Sequence, residues 1–433
     1  FWKTYDNSDW DNATKAKALD SLHNHIVKQA NDSLTRNSLF RLAARYERLE
    51  LADKYYQSSD LAQKWATAQK DTLDIAKALW YKGDYHDAAQ VYDSAFHYYS
   101  QAEKYYRLSQ KDSLGWGRML YYKAGALYSM GIYTESEVES VKAMEVFSKL
   151  STDWYPYQTK LQIALILSGL REYEEALKYY HLALADLKAI KNNPEKVQYS
   201  LTACYNNIGG HYNKMKNYKE AKFYLEKGLA YHRIEEEPDL HAMLLNNYAY
   251  SKMQLGERHQ VDSLLSLSLR LRDSIGHKQG IIASKLNIGE YNLRQKDTLQ
   301  AIETIKEAYA LAQENQSHLD IQRSLEFLSL NDQANKAYYT QRYSEVKDSI
   351  REVERATKKK FARIEFETEQ LSLENEVLLK RNTVLAFLSL GAILLILVLS
   401  LVYYYRMKNK RLQIQQKEQQ KDQEIYGLLL REK

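Results

Sequence analysis

"KMKNYKEAKFYLEKG", residues 214–228, and "GLREYEEALKYYHLA", residues 169–183, are two copies of one pattern. Each has a polar turn, a Tyr (Tyr218, Tyr173), an Ala three residues later (Ala221, Ala176) and a bulky residue four beyond that (Leu225, Tyr180). Spacings of three and four place these side chains on one stripe of a helix that starts at the turn. Three more stretches align: "YKGDYHDAAQVYDSA" (81–95), "SMGIYTESEVESVKA" (129–143) and "RQKDTLQAIETIKEA" (294–308), with a more degenerate copy at "QLGERHQVDSLLSLS" (254–268). The turn residue falls at Tyr85, Tyr133, Tyr173, Tyr218, Arg258 and Thr298, at intervals of 48, 40, 45, 40 and 40. In the first copy the small and bulky positions are Ala88 and Tyr92; in the last they are Ala301 and Ile305. Upstream of two turns, "YNNIGGHYNKMKNY" (205–218) and "SKLNIGEYNLRQKD" (284–297) carry Gly209 and Gly289 in matching places of a preceding helix. A small residue there lets two helices cross closely. The chain therefore reads as consecutive helical hairpins.

The totals agree. In 433 residues there are 3 Pro and 15 Gly against 37 Tyr, so helices joined by short turns are expected. A net charge of +5 is modest, and Lys358–Lys360, the densest basic run of the large body, reads as a solvated helix face, so no nucleic acid partner is expected. A single cysteine, Cys204, excludes an intramolecular disulfide and a cysteine-built metal site, and its place in an apolar-periodic helix makes it a small core residue. No phosphate-cradling loop, HExxH or GxSxG occurs. His23 and His25 stand two apart, which on a helix turns them to opposite sides and away from a common metal. No catalytic residue, metal or cofactor is expected, and the chain as given is not read as an enzyme.

Recurrence across about residues 35 to 342 resembles the tetratricopeptide repeat, with a period nearer 40 than the usual 34 or so, as in the kinesin-light-chain style of the repeat. The early Trp and terminal Pro of that consensus are mostly missing. The resemblance implies a solenoid of stacked hairpins with a concave groove suited to peptides or proteins. It also implies that one first-helix position faces the groove. Asn207, Asn247 and Asn287, spaced by 40 and 40, occupy it two residues before Gly209, Ala249 and Gly289, and Gln162 stands in the unit before. An amide donates and accepts at once, so such a ladder can pair with the main chain of an extended peptide. Asn206, Asn213, Asn246 and Tyr250 would add polar and aromatic contacts. The same amides could instead cap turns or bond neighbouring helices, and the sequence leaves both readings open.

Thr383–Tyr405, "TVLAFLSLGAILLILVLSLVYYY", holds 23 residues without a charge. At about 1.5 Å per residue this helix is long enough to cross a bilayer core, with Tyr403–Tyr405 as an interfacial belt. Residues 406–425 carry six basic groups and residues 363–382 carry three, so the tail is expected in the cytoplasm and the repeats outside it. The expected order is a repeat solenoid over 1–342, a linking helix over 343–382, the span over 383–405 and a cytoplasmic helical tail over 406–433. In the linker, Ile350, Thr357, Ile364, Leu371 and Leu378 form one seven-residue track. The companion track Val353, Lys360, Glu367, Glu374 and Arg381 is mostly charged, giving half a coiled-coil seam for a homodimer.

Repeats, long helix, one span and a Gln/Glu/Lys-rich helix ending "QEIYGLLLREK" are similar to the sensor and membrane part of bacterial tetratricopeptide sensor histidine kinases. That resemblance implies an inner-membrane, single-pass receptor whose repeats bind a peptide or protein in the periplasm, with an output domain expected after Lys433. The phosphoacceptor His and the ATP-binding domain are not in this sequence. A membrane-tethered helix-turn-helix regulator and a membrane-anchored scaffold for envelope complexes are the alternatives. Phe1 is read as a processed or truncated start.

Overall fold

The computed structural model describes residues 1–431 apart from Gln110, Asp153 and His232, with side chains apart from 353–376, 379, 424 and 426–431. Among these residues there are helices and no strands. Two helices, α1 (Trp2–Asp6) and α2 (Asn12–Ile26), precede the hairpins. The hairpins then run α3 (Ser33–Arg48) with α4 (Ala52–Ala68), α5 (Thr72–Ala88) with α6 (Tyr92–Ser109), and α7 (Ser113–Ser129) with α8 (Tyr133–Phe147). Next come α9 (Trp154–Leu170) with α10 (Tyr173–Ala189), α11 (Pro194–Lys214) with α12 (Tyr218–Leu229), and α13 (Pro238–Gln254) with α14 (Val261–Ser274). The last are α15 (Lys278–Arg294) with α16 (Thr298–Glu314), followed by α17 (His318–Asn331) and α18 (Lys336–Arg431). From α2 to α17 each helix packs on its neighbours in sequence, and first helices also meet across repeats, α11 on α13 and α13 on α15. This is the tetratricopeptide-type solenoid that the repeats predict.

The period is written in the backbone. Glu50, Gln90, Gly131, Arg171, Lys216, Gly256 and Lys296 all have φ between 58° and 77°, at intervals of 40, 41, 40, 45, 40 and 40. Each ends a first helix in a left-handed residue, and the next amide reaches back five residues. Thus Leu51 N–H donates to the Tyr46 carbonyl, Val91 to His86, Asn217 to Tyr212 and Asp297 to Asn292, at 2.8–3.0 Å. This bond satisfies a carbonyl that the helix end would leave bare, which offsets the cost of a non-glycine residue at positive φ.

These turns correct one alignment. Tyr85 does not open a second helix; it lies within α5, and the turn comes at Gln90, so Tyr92 is the true counterpart of Tyr133 and Tyr173. Ala95 and Tyr99 therefore replace Ala88 and Tyr92 as the small and bulky positions. Gly83 precedes Tyr85 by two residues just as the turn residue Gly131 precedes Tyr133, yet a Cβ on Gly83 would lie 2.4 Å from the Tyr99 ring. It is a close-approach residue like Gly209, whose Cβ would meet Leu225 at 2.5 Å, and Gly289, which would meet Ile305 at 2.4 Å. All three pairs are separated by sixteen residues, so the same crossing recurs in each hairpin.

The core is a chain of local clusters, as stacked hairpins require. One joins α9 to α13 through Ile163, Tyr180, Cys204, Ile208, Leu225 and Leu244. Cys204 is fully enclosed, and burial pushes its thiol up to about 12, so it is a packing residue.

The chain divides into two compact units, Phe1–Glu365 and Phe366–Lys433. Within the first, Tyr339, Tyr343 and Val346 at the start of α18 pack against α15–α17 residues such as Leu325 and Leu328. Within the second, Lys380–Gln423 holds an 18-residue window of mean hydropathy 2.9 whose side chains are all exposed. One described helix is thus long and apolar enough to cross a membrane. Of the seven-residue track, only Ile350 and Leu378 lie among residues with described side chains, as does Arg381 of the companion track. The other track side chains, Lys358–Lys360 and most of "QEIYGLLLREK" lie outside them.

Candidate ligand groove

Counting back nine residues from the left-handed residue of each turn gives Gln162, Asn207, Asn247 and Asn287. A helical face repeats only if the turn does, so the fixed turn carries these amides to one face of consecutive first helices. There the structure has a cleft of about 730 Å³ walled by α9, α11, α13, α15 and α17. Asn207, Asn247 and Asn287 line it, together with Asn206, Asn213, Asn246 and Tyr250. Gln162 does not. It is buried, donates through Nε2 to the Tyr121 carbonyl at 3.2 Å and accepts from Ser140 Oγ at 3.2 Å.

The amides divide between two roles. Asn247 Nδ2 donates to Asn206 Oδ1 at 2.9 Å, and Asn213 Nδ2 donates to the Asn247 carbonyl at 3.1 Å. Ser251 Oγ donates to Asn213 Oδ1 at 2.8 Å. This net ties α11 to α13 and fixes the floor of the cleft. Asn207 and Asn287 are half-buried, and neither side chain makes a hydrogen bond to another described residue. Asn246 is 5% exposed, and its buried Oδ1 has no partner. An acceptor enclosed without a donor costs on the order of 1–3 kcal/mol.

Residues that the amide spacing did not single out complete the walls. Phe327 on α17 stands forty residues after Asn287, so extending the register by one more repeat would have found it. Glu290, Arg323, Glu326 and Lys214 place both signs of charge around the cleft. Glu290 accepts from Gln254 Nε2 at 2.8 Å and from Arg294 at 3.0 Å. At the other end His211 is buried, and its Nε2 lies 2.9 Å from the Tyr173 carbonyl, which can only accept. The proton is therefore on Nε2, and Nδ1 is left to accept from Ser168 Oγ at 3.2 Å. Burial holds the imidazole below its ordinary pKa, hence neutral. Among the described residues no group of three or more His, Cys, Asp or Glu side chains could hold a metal ion.

No family model and no curated protein matches the sequence. Solved structures do. A Rap protein complexed with competence and sporulation factor superimposes with a TM-score of 0.59 at 16% identity, covering 81% of this chain and 97% of that one. The apo quorum sensor NprR from B. thuringiensis gives 0.59 at 13% identity, covering 79% and 94%. The Rap conjugation gene regulator of plasmid pLS20, in complex with the Phr peptide, gives 0.55 at 15% identity, covering 77% and 95%. At these identities the likeness is one of fold, and it places the repeats in the class of tetratricopeptide-type helical solenoids.

Proposed function

We propose that the repeats bind an extended peptide, or an extended segment of a protein, along the cleft from α9 to α17. The observation that carries this is the set of unpaired amide groups facing it: Asn207, Asn287 and the Asn246 oxygen. Main chain is the ligand that offers N–H and C=O at regular spacing, and an amide answers both. Two of the similar structures support the reading, since one holds a Phr peptide and another a competence and sporulation factor. The test is capture from a random heptapeptide pool by the full chain in detergent micelles, read by mass spectrometry. Asn207→Ala with Asn287→Ala should lower capture at least tenfold, and N-methylating the backbone of a captured peptide should abolish its binding. Capture unaffected by both changes would end the proposal.

We further propose that Thr383–Tyr405 spans a bilayer, with the repeats outside the cytoplasm and α18 passing occupancy of the cleft to an output module. Support comes from the uncharged 23-residue run and the excess of basic residues after it. In this reading the chain has no catalytic role of its own. Cysteines introduced at Asn382→Cys and Gln413→Cys, in a Cys204→Ala background, test it with a membrane-impermeant maleimide on whole cells. Labelling at 382 alone fits the proposal; labelling at 413 alone reverses the orientation, and equal labelling removes the span.

A further inference from the structure

The same register, read in the N-terminal repeats, places Tyr81 and Tyr122 where Asn207, Asn247 and Asn287 stand further along. Rings replace amides, and two cations accompany them at matching positions, Lys77 on α5 and Arg118 on α7. The Arg118 guanidinium lies 3.9 Å from the centre of the Trp80 ring and 5.8 Å from that of Tyr155. The Lys77 ammonium lies 4.5 Å from the Phe40 ring and 5.9 Å from Tyr81. Trp80 and Tyr122 stack in parallel at 6.2 Å.

Elsewhere in these repeats half-buried or buried cations are matched by acids. Lys123 meets Glu103 at 2.9 Å and Glu139 at 2.8 Å, and Arg36 meets Asp71 and Asp74 at 2.6 Å each. Among the described residues, Lys77 and Arg118 have no carboxylate partner. Arg118 Nε is buried without a hydrogen bond, and Asp74, which attracts Lys77, is already bound to Arg36. Burial holds the Lys77 ammonium below its ordinary pKa against the attraction of Asp74, and the charge of Arg118 adds to the lowering. Two partly desolvated like charges, with the nearby Asp74 already engaged by Arg36, are a costly arrangement for the empty protein. The rings offset part of that cost.

We propose that this stretch of the concave face is a site for a carboxylate carried on an apolar or aromatic peptide segment, Lys77 and Arg118 taking the anion and Trp80 and Tyr122 its apolar body. A phosphate fits less well. Both cations lie inside helices, where the backbone N–H groups that commonly cradle a phosphate are already used. The site stands on its own residues and does not depend on the amide cleft.

The experiment is calorimetry on the full chain in micelles with three peptides. They are acetyl-Phe-Asp-Phe-amide, its neutral Asn counterpart, and the Asn peptide with a free C-terminal carboxylate. The expected result is that one or both carboxylate peptides bind at least tenfold tighter than the neutral one, the tighter of the two telling a side-chain anion from a chain terminus. Lys77→Met and Arg118→Gln should each weaken binding of the carboxylate peptides tenfold or more while leaving the neutral peptide unaffected. Without peptide, Lys77→Met should melt at a higher temperature than the parent, which separates loss of the site from loss of the fold. Equal binding of acidic and neutral peptides, no binding by any of them at millimolar concentration, or affinity untouched by both cation variants would overturn the proposal. So would displacement by inorganic phosphate at lower concentration than by acetate.

Discussion

Gly209 and Gly210 are adjacent on α11, and adding one methyl to each should have opposite effects. A Cβ on Gly209 would lie 2.5 Å from Leu225 Cγ and 2.8 Å from its Cδ2, about 1 Å inside ordinary contact, against a side chain with no exposure. Overpacking of this kind costs about 1–3 kcal/mol. Alanine regains about 0.5–1 kcal/mol over glycine within a helix, so Gly209→Ala should lose roughly 0.5–2 kcal/mol. The nearest atom to a Cβ on Gly210 is Asn247 Nδ2 at 3.6 Å, an ordinary contact. Gly210→Ala should therefore gain about 0.5–1 kcal/mol while narrowing the cleft that Gly210 lines. Both variants change the unfolded chain alike, so their difference isolates the α11–α12 crossing. The assay is equilibrium urea unfolding by circular dichroism, compared through midpoints and slopes because repeat arrays need not unfold in one step. Leu225→Ala on the Gly209→Ala background should cost less than on the parent, where it would be about 2–5 kcal/mol. If Gly209→Ala proves as stable as Gly210→Ala, the sixteen-residue pairing does not set the packing of these hairpins.

Three further expectations follow from buried charge. Burial depresses the pKa of His211, and of His23, His86, His181 and His241, below the unfolded value near 6.5, so stability is full above that pH and falls as pH drops through it. A His211→Gln variant should show a shallower loss between pH 6.5 and 5 in thermal melts. Asp84 behaves in the opposite sense, its carboxyl raised to about 7 mainly by burial, so its contribution is present near pH 4 and is lost as pH rises past 7. Asp84→Asn keeps an oxygen to accept from Tyr99 OH and Trp80 Nε1, and should be more stable than the parent at pH 8 by about 4 kcal/mol, the worth of a rise from the ordinary carboxylate value to about 7, with no difference near pH 4. Lys123→Met takes the shared cation from Glu103 and the buried Glu139, leaving Glu139 only the half-exposed Lys142, and should cost about 3 kcal/mol in urea; an unchanged midpoint would show that the trio is not a stability element.

The repeats were legible because one turn recurs. The left-handed residue, its return hydrogen bond and the sixteen-residue crossing fix the distance between the motif residues, and a fixed distance is what sequence displays. The first copy slipped by seven residues because glycine serves two purposes here. Gly131 and Gly256 supply a positive φ, whereas Gly83 supplies room for Tyr99, and composition alone does not separate them. The turns also tolerate Glu50, Gln90 and Lys216 at positive φ, since the return bond compensates, so the absence of glycine concealed the turn at Gln90.

The cleft was legible to the level of the face and no further. A register of forty carries Asn207, Asn247 and Asn287 to the same wall, yet it does not say which amide is already occupied. That depends on neighbours at one residue's remove. Asn206 sits about 100° around the helix from Asn207, enough to point one amide at Asn247 on the next helix and leave the other without a partner. Asn213 and Asn246 repeat the lesson, the first held by Ser251 and the Asn247 backbone, the second with an oxygen enclosed and unmatched. Hydrogen-bond satisfaction is a property of pairs brought together by packing, not of positions in a period. For the same reason the cations Lys77 and Arg118, which lack an acid bound to them, could not be read from the chain, where every Lys and Arg looks equally free to find one. What the fold adds to the sequence is the identity of the groups left wanting a partner, and these are the groups on which both binding proposals rest.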